Sequence, residues 1–244
     1  MKFIVVIPAR YNSTRLPGKP LISLQGVPML LRTYNQCNKA VSTKYIYVAT
    51  DDARIEKFCF DNNINVIMTS PNCKTGTDRI AEVAEIIDAD TYINVQGDEP
   101  LLNPDDLSLI IENIERYPEI ILNGYCEIIN KDSFFSSSLP KVVFDNNKKL
   151  LYMSRAGIPS NKENKFSFGF RQVCIYSFPK KSLFEFTKNK QKTLFEAEED
   201  IEILRFLEMG FNVQMIKMSS HSIPVDNPED IKLVEERLNI ELSV

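Results

Sequence analysis

Phe3-Ile4-Val5-Val6-Ile7-Pro8-Ala9-Arg10 is the stretch that decides the fold. Five consecutive apolar residues, four of them β-branched, stop at a proline and give way to a basic loop. A run that is apolar at every position, not at alternate ones, is the pattern of a strand buried on both faces. Working outward, Pro28 opens a helical pattern through Leu31, Tyr34 and Cys37, Tyr45 to Ala49 reads as a second strand, and Ile55, Phe58 and Cys59 mark another helix. Short strands follow at Asn65 to Met68 and Tyr92 to Val95, separated by a helix that Thr77 can cap and whose apolar face is Ile80, Val83, Ala84 and Ile87. Asn103-Pro104-Asp105-Asp106 opens the next helix, with proline at its first position and acids facing its dipole. Alternating buried strands and helices predict an α/β fold with a mostly parallel, doubly wound sheet over about the first 120 residues.

The pattern changes beyond that point. Ile120 to Ile129, Lys141 to Phe144 and Arg171 to Phe178 read as strands, Asn161 to Lys165 as a surface loop, and Ala197 to Met209 as one helix. Asn212 to Lys217 is a closing strand, and Asn227-Pro228-Glu229-Asp230 opens a last helix. No linker rich in glycine, proline or serine divides the chain, so a single domain spanning 1–244 with a strand-rich insertion is expected.

The chain has 244 residues, 43% of them hydrophobic and 25% charged, an ordinary globular composition that needs no metal or disulfide staple. Its apolar runs fall far short of the roughly 18–20 residues a membrane span requires, and no signal-peptide pattern follows Lys2, so no membrane insertion and a cytoplasmic location are expected. Five widely spaced cysteines without a C-x-x-C pair point to reduced thiols. A formal charge of −4 argues against a nucleic-acid partner, so any bound anion must be held by a local cluster. With one histidine, His221, imidazole-based hydrolase and redox schemes lose their usual base, and carboxylates, arginines and lysines are left to carry the chemistry.

Such a cluster follows the first strand, where Arg10, Arg15 and Lys19 fall within ten residues at the edge where open parallel sheets bind ligands. Arginine suits bidentate phosphate contacts and lysine acts as a point charge, although a solvated basic loop has the same composition. The loop matches neither the P-loop nor the G-x-G-x-x-G pattern. In Gln96-Gly97-Asp98-Glu99, the glycine permits close backbone approach and Asp98 suits a Mg²⁺ ion, which takes one or two carboxylates plus substrate phosphates. A plain turn is the alternative. Asp226 is either a second metal ligand or the cap of the last helix. Lys74-Thr75-Gly76-Thr77-Asp78-Arg79 offers hydroxyls and free N–H groups at a helix start to an anion or a base edge, or is simply a capped helix with a surface arginine. Glu196, Glu198, Glu199 and Glu202 read most simply as the solvated acidic face of one helix, and His221 as a surface residue.

Taken in order, Pro8-Ala9-Arg10 with Arg15 to Pro20, Lys74 to Arg79, Asn94 to Pro100, Tyr152 to Pro159 and Val225 to Asp230 closely resemble the 3-deoxy-manno-octulosonate (Kdo) cytidylyltransferases over nearly the whole chain. The resemblance implies a Rossmann-like, GT-A-like nucleotidyltransferase sheet with a dimerisation insertion. About 1–120 would bind CTP, about 121–210 would bind the sugar and dimerise, and 211–244 would supply the closing strand and helix. The implied reaction is Mg²⁺-dependent transfer of CMP from CTP to the anomeric hydroxyl of Kdo, releasing pyrophosphate and giving CMP-Kdo for lipopolysaccharide or capsule synthesis. By motif, Arg10, Arg15, Lys19 and Asp98 would be catalytic, while Pro8, Ala9, Thr75, Gly76, Thr77 and Arg79 would frame CTP with them. Asp98 and Asp226 would hold the metal, and Gln96, Arg155, Gln172, Tyr176, Glu199 and Glu202 would face the sugar. A homodimer is implied as well.

The chain departs from the family pattern on the sugar side. Gln172 stands where the family usually has His, Cys174 where it has Gly, and Ile203 where it has Gln. Gln can bond but cannot become cationic, and Ile cannot bond a hydroxyl. A modified acceptor, such as an amino-substituted Kdo, is therefore the neighbouring expectation, and a silent nucleotide-binding scaffold is the alternative from another class.

Overall fold

A computed structural model describes residues 1–12, 15–188 and 191–241. Its first half runs β1 (Phe3–Pro8), β2 (Ser23–Leu24), β3 (Val27–Pro28), α1 (Met29–Ala40), β4 (Ile46–Thr50), α2 (Ala53–Asp61), β5 (Val66–Met68), α3 (Gly76–Ile86), β6 (Thr91–Val95) and α4 (Pro104–Arg116). The second half continues with β7 (Ile121–Glu127), α5 (Lys131–Phe135), β8 (Lys141–Phe144), β9 (Leu150–Ser154), β10 (Phe170–Pro179), α6 (Lys180–Lys188), α7 (Leu194–Glu199), α8 (Ile203–Glu208), β11 (Val213–Lys217) and α9 (Pro228–Glu241).

The main sheet has the order β5-β4-β1-β6-β10-β7-β11. All its pairings are parallel except those of β10, which runs antiparallel between β6 and β7. A strand from the second half therefore sits inside the sheet begun by the first, while β8 and β9 form a ribbon off β10. The two-faced burial expected of β1 is met: Ile4 and Val6 enter the apolar cluster on the α3 side, and Val5 and Ile7 the cluster on the α1 and α4 side. Burying each such side chain contributes roughly 1.5–3 kcal/mol. A smaller cluster of Leu24, Met29, Leu101, Val225, Val234 and Leu238 fixes α9 against the β2–β3 hairpin. No helix among the described residues is long and apolar enough to cross a membrane.

Helix starts follow the side-chain chemistry. Asn103 caps α4, accepting from the Asp105 N–H at 3.1 Å. On α3 the cap is Thr75, two residues before the expected Thr77, because only Thr75 has an acid three residues on to complete a capping box with Asp78. The single helix expected over Ala197 to Met209 is instead two: Asp200 adopts φ 51° and separates α7 from α8. Strand β9 and helix α6 were not anticipated.

Candidate active site

The carboxyl ends of β1 and β6 open into a cavity of about 780 Å³ that the second half closes. Six basic and five acidic side chains line it among the described residues, so the cavity is slightly basic in a chain that is acidic overall. Along one wall, Gly18 at φ 69° turns the chain after the basic loop, donating its N–H to the Tyr11 carbonyl at 2.9 Å, and delivers Lys19 to the interior. The Lys19 ammonium lies 2.6 Å from Asp98 and 3.3 Å from Asp226, and Arg15 reaches Asp226 at 2.9 Å. Burial pulls the Lys19 pKa down, but the two carboxylates outweigh it and hold the pKa above the usual 10.5.

Two close approaches build this cluster. A Cβ on Gly97 would lie 2.9 Å from the Pro8 carbonyl, so glycine lets the β6 loop pass against the β1 loop. The Val225 N–H donates to the Asp98 carbonyl at 2.9 Å, tying the chain before α9 to the end of β6. Asp226 is not the cap of α9. Asp230 reaches back to accept the N–H groups of Asp226 and Asn227 at 2.9 and 2.7 Å, which leaves the Asp226 carboxylate facing Lys19. Asp106 and Glu99 steady the same segment through the hydroxyls of Ser219 and Ser222. Burial first, and then the Asp98 charge, push Glu99 up to about 7.

No group of three or more His, Cys, Asp or Glu side chains among the described residues is arranged to hold a metal alone. The Asp98–Asp226 pair nevertheless fits Mg²⁺, since that ion uses one or two carboxylates with phosphates completing the shell, and here both already share one cation.

On the opposite wall, Arg10 donates to the Lys74 carbonyl at 3.2 Å beside the start of α3. The free N–H groups expected there are occupied: the Glu202 carboxylate accepts from Gly76 at 3.2 Å, from Thr77 at 2.8 Å and from the Thr77 hydroxyl. Glu202 thus clamps the two halves together while also lining the cavity. Thr75 and Thr77 spend their hydroxyls on Asp78 and Glu202 and do not line it. Arg79 is a fully buried guanidinium on the cavity wall, not a surface residue. It donates to Thr69 and lies 3.3 Å from Asp51, and its Nε has no hydrogen-bond partner among the described residues.

The second half brings Gln172, Cys174 and Tyr176 of β10 to the cavity, together with Arg155. The Gln172 amide donates to Asn123 at 3.0 Å and to the Tyr176 hydroxyl at 2.7 Å, which fixes its orientation. Burial raises the Cys174 and Tyr176 pKa values well above their usual ones. Arg155 donates to the carbonyls of Glu199, Asp200 and Ser137 at 2.5, 3.0 and 2.8 Å, so the break at Asp200 supplies two of its acceptors. Glu199 stands behind it, its carboxylate accepting the Ser154 hydroxyl at 2.6 Å and the Arg155 N–H at 2.8 Å.

Two expectations fail here. Glu196 belongs to no solvated face: it is fully buried in a two-point pair with Arg205. Ile203, read as an altered sugar contact, is packed in the apolar cluster on the α3 side and does not line the cavity. Conversely, Arg171 and the Ser137–Pro140 segment line the cavity and were missed. In sequence, nothing separates Arg171 from a solvent-facing strand residue.

The sequence pattern of the cytidylyltransferases matches residues 4–232. A 3-deoxy-manno-octulosonate cytidylyltransferase of Protochlamydia amoebophila is 39% identical, the match covering 97% of this chain and 94% of the relative. An 8-amino-3,8-dideoxy-manno-octulosonate cytidylyltransferase of Shewanella sp. strain W3-18-1 is 40% identical over 98% of this chain and 99% of its own. Among solved structures, a CMP:2-keto-3-deoxy-manno-octonic acid synthetase complexed with CTP superposes with a TM-score of 0.91 at 31% identity, covering 99% of this chain and 100% of that one.

Proposed function

We propose that this chain, which belongs to the cytidylyltransferase family, transfers CMP from CTP to the anomeric hydroxyl of a 2-keto-3-deoxy sugar acid of the Kdo class. The observation that carries the reading is the convergence of Lys19, Asp98 and Asp226 at the foot of a basic loop, in a cavity shared by both halves of the chain. About 1–120 would bind the nucleotide, about 121–210 the acceptor, and 211–244 would contribute Asp226.

In this reading Arg10, Arg15 and Lys19 hold the triphosphate, and Pro8, Ala9, Gly76 and Arg79 frame the nucleotide. Thr75 and Thr77 act indirectly, by holding the start of α3. The anomeric oxygen forms a bond to the α-phosphorus, its proton passes to solvent water, and the bond from the α-phosphorus to the bridging oxygen breaks to release pyrophosphate. Charge grows on phosphate oxygens in that step, and fixed cations aimed at it stabilise the transition state. Asp98 and Asp226 would hold Mg²⁺, which supplies further neutralisation of that charge. Gln96, Arg155, Gln172, Tyr176 and Glu202 would face the acceptor, and Glu199 would hold Arg155 in place.

Gln172 and Cys174 favour a second reading on the acceptor side. A neutral amide and a protonated thiol stand where the family pattern has a histidine and a glycine, and relatives such as the Shewanella enzyme are named for an 8-amino acceptor. An acceptor panel tests both readings. Similar kcat/KM for Kdo and its 8-amino analogue would mean the site does not discriminate, a tenfold or greater preference would assign the acceptor, and no turnover with either would remove the proposal.

A homodimer and a cytoplasmic location belong to the same reading. Ile129, Leu151, Phe168, Leu194 and Phe195 are exposed apolar side chains of the second half, the part expected to dimerise. Sedimentation equilibrium at micromolar concentration should give twice the monomer mass, and a monomer there would remove the dimer.

A further inference from the structure

We propose that Lys141 is a positioning residue for the acceptor: its buried ammonium ties the Ser136–Pro140 loop and Arg155 into one wall of the cavity, so that losing it loosens the acceptor half and spares the nucleotide half. This rests on the cytidylyltransferase reading above.

Lys141 is fully buried at the start of β8 and faces no carboxylate within ion-pair distance among the described residues. Its ammonium donates to three carbonyls, those of Ser136 at 2.6 Å, Leu139 at 2.7 Å and Arg155 at 2.5 Å. An ammonium has three donors and all are spent. Two of the acceptors belong to the loop whose Ser137, Ser138, Leu139 and Pro140 line the cavity, and the third is the backbone of Arg155, whose side chain binds that loop again at Ser137. Lysine and arginine thus close a ring of carbonyls around one wall, while the nucleotide wall makes none of these contacts.

The ring depends on charge. Burial first, and then the neighbouring Arg155 guanidinium, lower the Lys141 pKa to about 8, with the Glu199 carboxylate opposing them. Arg171 is its cross-strand neighbour on β10, and the chain after α5 brings the Ser136 and Leu139 carbonyls. As pH rises through about 8 the ammonium becomes an amine with two donors for three carbonyls, and its lone pair is set against them. Burial pushes Cys174 and Tyr176 well above their usual values, outside this window. Glu99, also on the cavity wall, is pushed up to about 7, so the comparison of wild type with Lys141 variants is what isolates the lysine.

The test measures KM for Kdo, KM for CTP and kcat at pH 7 and pH 9 for the full-length wild-type protein, Lys141→Met and Lys141→Gln. In the wild type, the Kdo KM should rise about tenfold between the two pH values, the scale of one lost charge-assisted hydrogen bond, with the CTP KM unchanged within about twofold. In both variants the Kdo KM should already be high at pH 7 and should not rise further. A wild-type Kdo KM independent of pH, a rise that persists in the variants, or a parallel rise in the CTP KM would overturn the proposal. If neither variant folds, Lys141→Arg, which keeps its charge at pH 9, decides: its Kdo KM should stay flat from pH 7 to pH 9, and a wild-type-like rise would overturn the proposal. Wild-type protein that turns over but fails these tests removes only the role of Lys141, whereas absence of turnover with every sugar acid removes the function itself.

Discussion

Replacing Glu196 by Gln tests how the acceptor wall is built. The Glu196 carboxylate meets the Arg205 guanidinium at two points, each 2.6 Å, with side-chain exposures of 1% and 2%, and the guanidinium also lies 3.7 Å over the Phe186 ring. Glutamine keeps the shape and its one oxygen can still accept the Thr193 N–H, so the change removes the charge and one of the two acceptors that the guanidinium uses, setting an amide NH2 against it. It leaves a buried guanidinium whose other carboxylate, on Asp78, is 3.9 Å away. Breaking one partner of a buried pair costs about 3–5 kcal/mol, and Asp78 places this case near the lower end, about 3 kcal/mol. For a chain of this length each kcal/mol moves Tm by roughly 2–4 °C, so Glu196→Gln should unfold about 6–12 °C lower. The double variant Glu196→Gln with Arg205→Met should recover at least about 2 kcal/mol of the summed single losses, because neither buried charge of the pair then remains without the other. Thermal and urea unfolding followed by circular dichroism give both numbers. A single-variant loss under about 1 kcal/mol, or single losses that simply add, would refute the assignment of this pair as the fastening of α7 and α8.

Three further outcomes follow from the geometry. Asp98→Asn should lower kcat at least about 100-fold, as loss of a group that stabilises developing charge does, whereas unchanged turnover in a pyrophosphate-release assay would contradict the role of Asp98. Abolished turnover separates an enzyme from a silent nucleotide-binding scaffold. Gly97→Ala forces a Cβ to within 2.9 Å of the Pro8 carbonyl, a backbone atom with little room to retreat, and should cost about 1–3 kcal/mol in urea unfolding and raise the CTP KM. Glu99 is pushed from 4.5 to about 7, so the folded state keeps a proton that the unfolded chain releases. Metal-free wild-type protein should therefore lose up to about 3 kcal/mol as pH rises from 4.5 through 7, and Glu99→Gln should be favoured over wild type more at pH 8 than at pH 5 in paired melts.

The parallel half of the sheet was legible chiefly through β1, which is buried on both faces and reads as an unbroken apolar run from Phe3 to Ile7. Gly97 beside Asp98 suggests a close backbone approach, but a plain turn has the same sequence, and only the nearby Pro8 carbonyl decides between them. What escaped has no local mark. Asp200 breaks a helix without glycine or proline, and that break decides where Glu199 and Glu202 point. Strand β9 pairs only with β8 and leaves Leu151 exposed, so no two-faced burial announces it. Glu196 pairs with Arg205 across the break between α7 and α8, and Lys141 spends its charge on carbonyls, so no opposite charge at a regular spacing announces either contact.

The most direct test of the central claim is the mass of the product formed from CTP, Mg²⁺ and Kdo, compared with ATP, GTP and UTP in place of CTP. A CMP-sugar adduct linked through the anomeric oxygen is expected, with one pyrophosphate per adduct and product from CTP well ahead of the other nucleotides. Pyrophosphate release without an adduct, or no adduct with any 2-keto-3-deoxy sugar acid, would contradict the claim.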